Sequence, residues 1–291
     1  MSIRHNIKPS VKSSVYSSVN PRQTAGVSYN TNAQAYFDSV EAASGSFDLS
    51  SLNATYTEEY VKNAHNDLFE SLDTYWSSIH MLLLNCGKTG LGINVPAKSD
   101  SSMYTANFSS GNYNAIKDGS NKIGLSVNSS LSQNLGASSV LPTANKEGYT
   151  LVSVATSEGY TAPNYGFYYN QTSPTASQIS GDIQYDKLQY YIGQNASSSI
   201  VYSQYSATGY LEFNKGTGQA RIKRNGTTQA TSGYFSTVYD GTASWQLNMS
   251  PNSYNGRFAM HMSYLSSTVP SEIKTAVRTF LAAFGDTTIP A

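Results

Sequence analysis

An antiparallel β-sandwich with two flanking helices is the fold class this sequence predicts, on three observations. Runs of alternating apolar and polar residues recur every ten residues or so from about residue 80 to residue 263, and period-2 alternation sends one set of side chains to a core and the other to water. These runs are parted by Gly, Asn and Asp rather than by helices, which favours a sandwich over an α/β sheet. Asn225-Gly226, between QARIKR and TTQAT, supplies the two-residue turn that sheet twist prefers in a hairpin. Helical periodicity is confined to 57–78 and to the stretch from Ser271 to Phe284.

Residues 1–50 read as an extended N-terminal arm, and 51–291 as the sandwich with its helices. The arm's apolar residues are scattered, Pro9 and Pro21 interrupt it, and Ser, Asn and Gln fill the gaps. Tyr16, Val19 and Tyr29 are its candidate anchors for pockets on a neighbouring subunit. Arg4, His5, Lys8, Lys12 and Arg22 make its start basic, so a docking surface of negative potential suits it. No apolar run follows these charges as a signal peptide requires, and no run approaches the roughly 20 apolar residues of a membrane span.

Thr57 is a helix cap, Glu58 and Glu59 suit the first turn, and Val61, His65, Leu68, Phe69, Leu72, Tyr75, Trp76 and Ile79 form one stripe. His65 within that stripe reads as a satisfied, half-buried histidine. IHMLLLN is apolar on both faces and predicts a buried strand. TGLGINVP is a second short strand or bend ended by Pro96, and NFSSGNYNAIKDGSNKIGLSVNSS gives two strands around Asp118-Gly119. YTLVSVAT, YGFYYN, QYDKLQYYIG and SSIVYSQYS follow as strands, then YLEF, the Asn-Gly hairpin, ASWQLNMS and RFAMHMS. Pro270 and Ser271 open the last helix, whose stripe is Ile273, Ala276, Val277, Phe280, Leu281 and Phe284, and Gly285 stops it.

Composition excludes several functions. Charged residues make up 12% of the chain, with 18 Lys+Arg against 18 Asp+Glu, about half the usual share. A nucleic-acid binder needs a basic face to neutralise phosphates, so no nucleic-acid partner is expected. The 23 Tyr and abundant Ser, Asn and Thr suit half-buried surfaces in an assembly, or contact with neutral sugars. The lone Cys86 excludes an intrachain disulfide and a thiolate metal cluster.

The order of features resembles a group of phage virion proteins built on a concanavalin A-like (laminin-G-like) jelly roll. The pieces are the helix over 61–79, MLLLN with INVP, NFSSGNYNAIKDGSNKIGLSV, YYIGQN, RIKRNGTTQAT, GRFAMHMSYLSS and SEIKTAVRTFLAAF. Together they span about residues 50 to 286, leaving the arm outside. The resemblance implies a structural part of a tail, fibre or capsid decoration in the virion. Its partners would be copies of itself and other virion proteins, without membrane insertion. The fold it implies also serves glycan-binding proteins, so recognition of a host surface glycan is the alternative.

No catalytic site, cofactor or metal is expected. Glycoside hydrolysis needs two carboxylates flanking the bond, and Glu212 stands alone on its strand, without the alternating E-x-D-x-x-E pattern of concanavalin-type glycosidases. His261 has no nucleophile elbow to serve. Asp118, Asn121, Asp182, Asp186 and Asp240 are too sparse for a calcium loop. For a glycan, the candidate platforms are Tyr190, Tyr191, Tyr202 and Tyr205, whereas Trp245 alternates with Leu247 and Met249 as a core residue would.

Overall fold

The computed structural model describes the backbone of residues 28–84 and 268–286, and that of the strands named below. Side chains are described for 28–79, 82–84, 221–223, 226–229, 260, 262, 264 and 268–286.

Three helices are described, the second packed against both the first and the third. The first, α1 (Thr31–Ala42), is capped by Asn30, whose side chain accepts from the Asn32 and Ala33 amides at 2.8 and 3.4 Å. Ala33, Tyr36, Phe37 and Val40 are buried along one face of it. The helix ends as Ser44 takes φ 61°, with the Gly45 amide on Val40 O at 2.8 Å and the Ser44 amide on Glu41 O at 2.9 Å. The arm expected over 1–50 is therefore corrected in its second half, because an i, i+3, i+4, i+7 stripe and an asparagine cap make 31–42 a helix with a core face. Residues 1–27, with Tyr16 and Val19, lie outside the described residues.

α2 (Glu58–Leu72) starts at Thr57, whose hydroxyl accepts from the Tyr60 amide at 3.3 Å, and it passes into a 3-10 turn over Asp73–Ser78. Its buried residues Val61, His65, Leu68, Phe69 and Leu72 are the first five of the expected stripe, whereas Tyr75 and Trp76 fall in the 3-10 turn, half-buried, and Ile79 begins a strand. α3 (Ser271–Ala283) also follows its expected stripe. It closes where Gly285 takes φ 89°, while the Asp286 and Gly285 amides bond Leu281 O and Ala282 O, each at 3.0 Å.

The strands in chain order begin with β1 (Ile79–Leu84), β2 (Asn94–Ser99), β3 (Ser102–Asn107), β4 (Tyr113–Lys117), β5 (Ile123–Val127) and β6 (Leu131–Asn134). β7 (Ser139–Val140), β8 (Gly148–Ala155), β9 (Pro163–Asn170), β10 (Ser177–Gln184), β11 (Lys187–Gln194) and β12 (Ser199–Ser203) follow. The last are β13 (Gly209–Gly216), β14 (Gln219–Arg224), β15 (Thr227–Thr231), β16 (Thr242–Met249) and β17 (Arg257–Tyr264). All pairings are antiparallel. One sheet runs β15-β14-β13-β8-β17-β1-β2-β3, with β5 on β17 and β4 on β5. The other runs β12-β11-β10-β9-β16-β6, with β7 on β16.

β1 joins the helices to the first sheet. Leu82 pairs with Met262 and Leu84 with Met260, while Leu83 pairs with His261, so buried leucines occupy both faces of the strand. His261 shares its face with Leu83 and Val152, opposite to the two methionines. Tyr36 Oη donates to Leu84 O over 3.5 Å, tying α1 to β1.

Two expectations change here. Pro96 lies within β2 instead of ending it: β1 pairs only with Ser99 and Lys98, so at Pro96 the strand has β3 as its single neighbour and a missing N–H is tolerated. β10 is a strand where none was expected, paired along its length with β9 and β11. The Asn-Gly hairpin pairs Arg224 with Thr227, and Gly226 takes φ 79°. Asn225 and the Asp118-Gly119 turn lie outside the described residues.

Candidate functional site

Three features carry chemistry: an aromatic cluster under the helices, a groove between α2 and α3, and one face of the β12-to-β6 sheet.

The cluster is centred on His65, which is fully buried. Tyr36 stacks on its ring at a centroid distance of 5.5 Å, Phe280 meets it edge-on at 4.9 Å, and Phe47 and Phe284 lie at 5.5 and 5.9 Å. Edge-to-face geometry sets the positive rim of one ring against the negative face of another. His65 Nδ1 is 2.9 Å from Val61 O; a carbonyl only accepts, so Nδ1 carries the proton. The expected half-buried histidine is thus a fully buried one, joining α1, α2 and α3. Tyr29 extends the cluster by meeting Phe37 edge-on at 5.0 Å.

Lys62 closes the cluster from outside. Its ammonium lies 2.8 Å from both Glu41 and Glu58, and 5.6 and 5.5 Å from the Phe37 and Phe47 ring centres. Burial alone would lower its pKa, but the hydrogen bonds and charges of Glu41 and Glu58 outweigh burial and raise it above the ordinary lysine value. A lysine whose folded value exceeds its unfolded one stabilises fully below the unfolded value, about 10.4, and loses that stabilisation as pH rises through the folded value. The stability difference between the native chain and Lys62→Met is therefore expected to stay constant from about pH 6 to 9 and to shrink above about pH 10.4. Urea unfolding at a series of pH values checks this; a difference that persists through the alkaline range would remove the ion-pair contribution.

The groove has a volume of about 480 Å³. Leu68, Ala276 and Phe280 form its buried floor, and Asp67 and Glu272 stand on opposite walls. At one end Tyr60 Oη donates to Ala283 O at 3.1 Å, fixing the start of α2 beside the end of α3. Burial, and then the charge of Glu70, raises the Asp67 carboxyl above its ordinary pKa. Among the described residues that line the groove there is no Lys, Arg or His.

In the β12-to-β6 sheet, cross-strand partners share a face. One face contains the row Trp245, Tyr169, Ile179 and Ile192, and beside it Leu247, Phe167, Gly181, Tyr190 and Ile200. Tyr202, paired with Leu188, belongs to the same apolar face. The other face contains the row Gln246, Tyr168, Ser180, Tyr191 and Ser199, and beside it Asn248, Gly166, Asp182, Gln189 and Val201. The register thus separates the candidate platforms: Tyr190 and Tyr202 share the apolar face, and Tyr191 is on the polar one. Tyr205 lies outside the described residues, as do Asp118, Asn121, Asp186 and Asp240. Tyr168, which the sequence reading passed over, flanks Ser180 on the side away from Tyr191. On β13, Glu212 pairs with Lys223 and Leu151, in the other sheet from Asp182. Among the described residues no three His, Cys, Asp or Glu side chains group as a metal site would, and no helix is long and apolar enough to cross a membrane.

No family model and no curated protein matches the sequence. Solved structures do match. A Trypanosoma rangeli sialidase in complex with 2,3-difluoro-KDN is similar at 12% identity and TM-score 0.43, over 77% of this chain and 39% of the sialidase. The binding domain of botulinum neurotoxin DC in complex with rat synaptotagmin II is similar at 12% identity and TM-score 0.45, over 72% of this chain and 52% of that one. A botulinum neurotoxin type C structure, whose cell entry depends on two ganglioside molecules, gives 10% identity and TM-score 0.43 over 73% and 53%. The match spans about two fifths to one half of each of these longer chains. Likenesses with TM-scores below 0.5 carry no argument about what this chain does, and none of them ties it to a virion.

Proposed function

We propose that this chain is a carbohydrate-recognition protein, and that a neutral glycan binds across the polar face of the β12-to-β6 sheet. One observation carries the reading: the Gln246–Tyr168–Ser180–Tyr191–Ser199 row, flanked by Asn248, Asp182 and Gln189, crosses five neighbouring strands. A sugar ring has a weakly apolar C–H face and a rim of hydroxyls. Tyrosines offer a broad ring for the first, and amides, hydroxyls and a carboxylate offer donors and acceptors for the second. Charges are sparse on this face, Lys187 and Asp182 being the two among its paired positions on β10 and β11, which favours a neutral ligand over a polyanion.

The fold that goes with this proposal is the concanavalin A-like jelly roll, with the apolar faces of the two sheets turned toward each other. It is supported by the Trp245–Tyr169–Ile179–Ile192 row and, in the other sheet, by fully buried Ile222 paired with Phe213. The motif order supports placing the module on a phage particle, with copies of itself and other virion proteins as partners.

The test is binding of the intact chain to an array of neutral and anionic polysaccharides. Retention on neutral glycans is the expected result. Absence of binding across the array would remove the recognition function and leave a purely structural role.

A further inference from the structure

We propose that residues 1–27 of this chain dock in the groove between α2 and α3 of the same molecule, their basic side chains set against Asp67 and Glu272. The inference is independent of the glycan reading and rests on three observations.

The first is charge. Residues 1–27 contain Arg4, Lys8, Lys12 and Arg22 and no Asp or Glu. Between residues 28 and 84 Lys62 is the only Lys or Arg, against Asp38, Glu41, Asp48, Glu58, Glu59, Asp67, Glu70 and Asp73. Lys62 is already held by Glu41 and Glu58; α3 adds Glu272, Lys274 and Arg278, of which only Glu272 lines the groove, so the charged side chains of the lining are Asp67 and Glu272. The second is the groove itself. A volume of about 480 Å³ over Leu68, Ala276 and Phe280, with a carboxylate on each wall and no cation in the lining, suits a chain with both apolar and basic residues. Lys8 and Lys12 precede the apolar Val15, Tyr16 and Val19, so the segment supplies both cations and apolar side chains.

The third is where the described chain begins. The Asn30 amide donates to Asn66 Oδ1 at 2.8 Å, and Asn30 Nδ2 donates to Asp73 Oδ1 at 3.3 Å. The chain therefore arrives at residue 30 alongside α2, the helix that forms one groove wall. A helix is about 10–12 Å across with its side chains, and four extended residues cover about 13 Å. The remainder of 1–27 is ample to reach the groove from there.

The experiment is zero-length carbodiimide cross-linking of the full chain, using an equal mixture of unlabelled and 15N-labelled protein read by mass spectrometry. Amide links from Lys8 or Lys12 to Asp67 or Glu272, within single isotopic copies, are the expected result. Thr275 and Thr279 are exposed on the groove's α3 wall, and the variant Thr275→Arg/Thr279→Arg should cut those links at least about fivefold while leaving the circular dichroism unchanged. Absence of the links, links to other carboxylates only, or links unaffected by the arginines would each overturn the proposal. Mixed-isotope links making up about half of the total would also overturn it, because random pairing in an equal mixture gives that share when the segment docks on a second molecule.

Discussion

Replacing Phe280 with alanine is expected to destabilise the protein by about 3–5 kcal/mol, the range for removing a large aromatic from a packed core. Phe280 is 2% exposed and meets His65 at 4.9 Å and Phe284 at 5.2 Å. Its loss would leave a void where α2 and α3 pack, and the His65 ring would lose an edge-on partner. Little relaxation is open to the neighbours, since Val277, Leu281, Leu68 and Phe69 are each at most 2% exposed and engaged. The control is Thr279→Ala on the exposed face of α3, expected to stay within about 0.5 kcal/mol of the native chain. Urea unfolding followed by circular dichroism measures both. A Phe280→Ala cost below about 1 kcal/mol would mean that α3 is not anchored through this ring.

The helices were legible to different degrees for identifiable reasons. Thr57, Glu58 and the Val61-to-Leu72 part of the stripe declare α2, and Pro270, Gly285 and the Ile273-to-Phe284 stripe declare α3. α1 carries the same kind of signal, an Asn30 cap and four apolar residues at helical spacing, but it sits within the Ser, Asn and Gln of an arm-like segment. Average composition hid a local period. β10 had less to show: SQISGDIQ offers only Ile179 and Ile183, with Gly181 between them, so its conformation is set by neighbours pairing on both sides.

The separation of the tyrosines was half visible. On β11, Tyr190 alternates with Leu188 and Ile192, and Tyr191 with Lys187 and Gln189, so the sequence already assigns the first to the apolar face. Tyr168 could not be found this way. Within YGFYYN it is one aromatic among several, and its polar neighbours Ser180 and Gln246 come from strands 12 and 78 positions later, brought beside it by register alone.

That register also fixes the outcome expected for the proposed glycan face. Changing Tyr168 and Tyr191 together to alanine should weaken binding of a neutral polysaccharide about 10- to 100-fold, since each aromatic at the centre of a contact is worth about 1 kcal/mol or more and each 1.4 kcal/mol is tenfold. Both positions are on the polar face, so the urea midpoint should move little. Tyr190→Ala should do the reverse. With the apolar row turned inward as in the proposed jelly roll, its place beside Gly181 and Ile200 predicts a loss of about 3 kcal/mol in stability, the scale for removing a core aromatic, with affinity of the remaining folded protein retained. Measured by isothermal titration and by unfolding on the same preparations, the two variants separate a ligand-facing row from a core-facing one. Should Tyr190→Ala abolish binding without loss of stability, while the double variant binds normally, the glycan would have to lie on the opposite face, and the two sheets could not pack there as a sandwich requires.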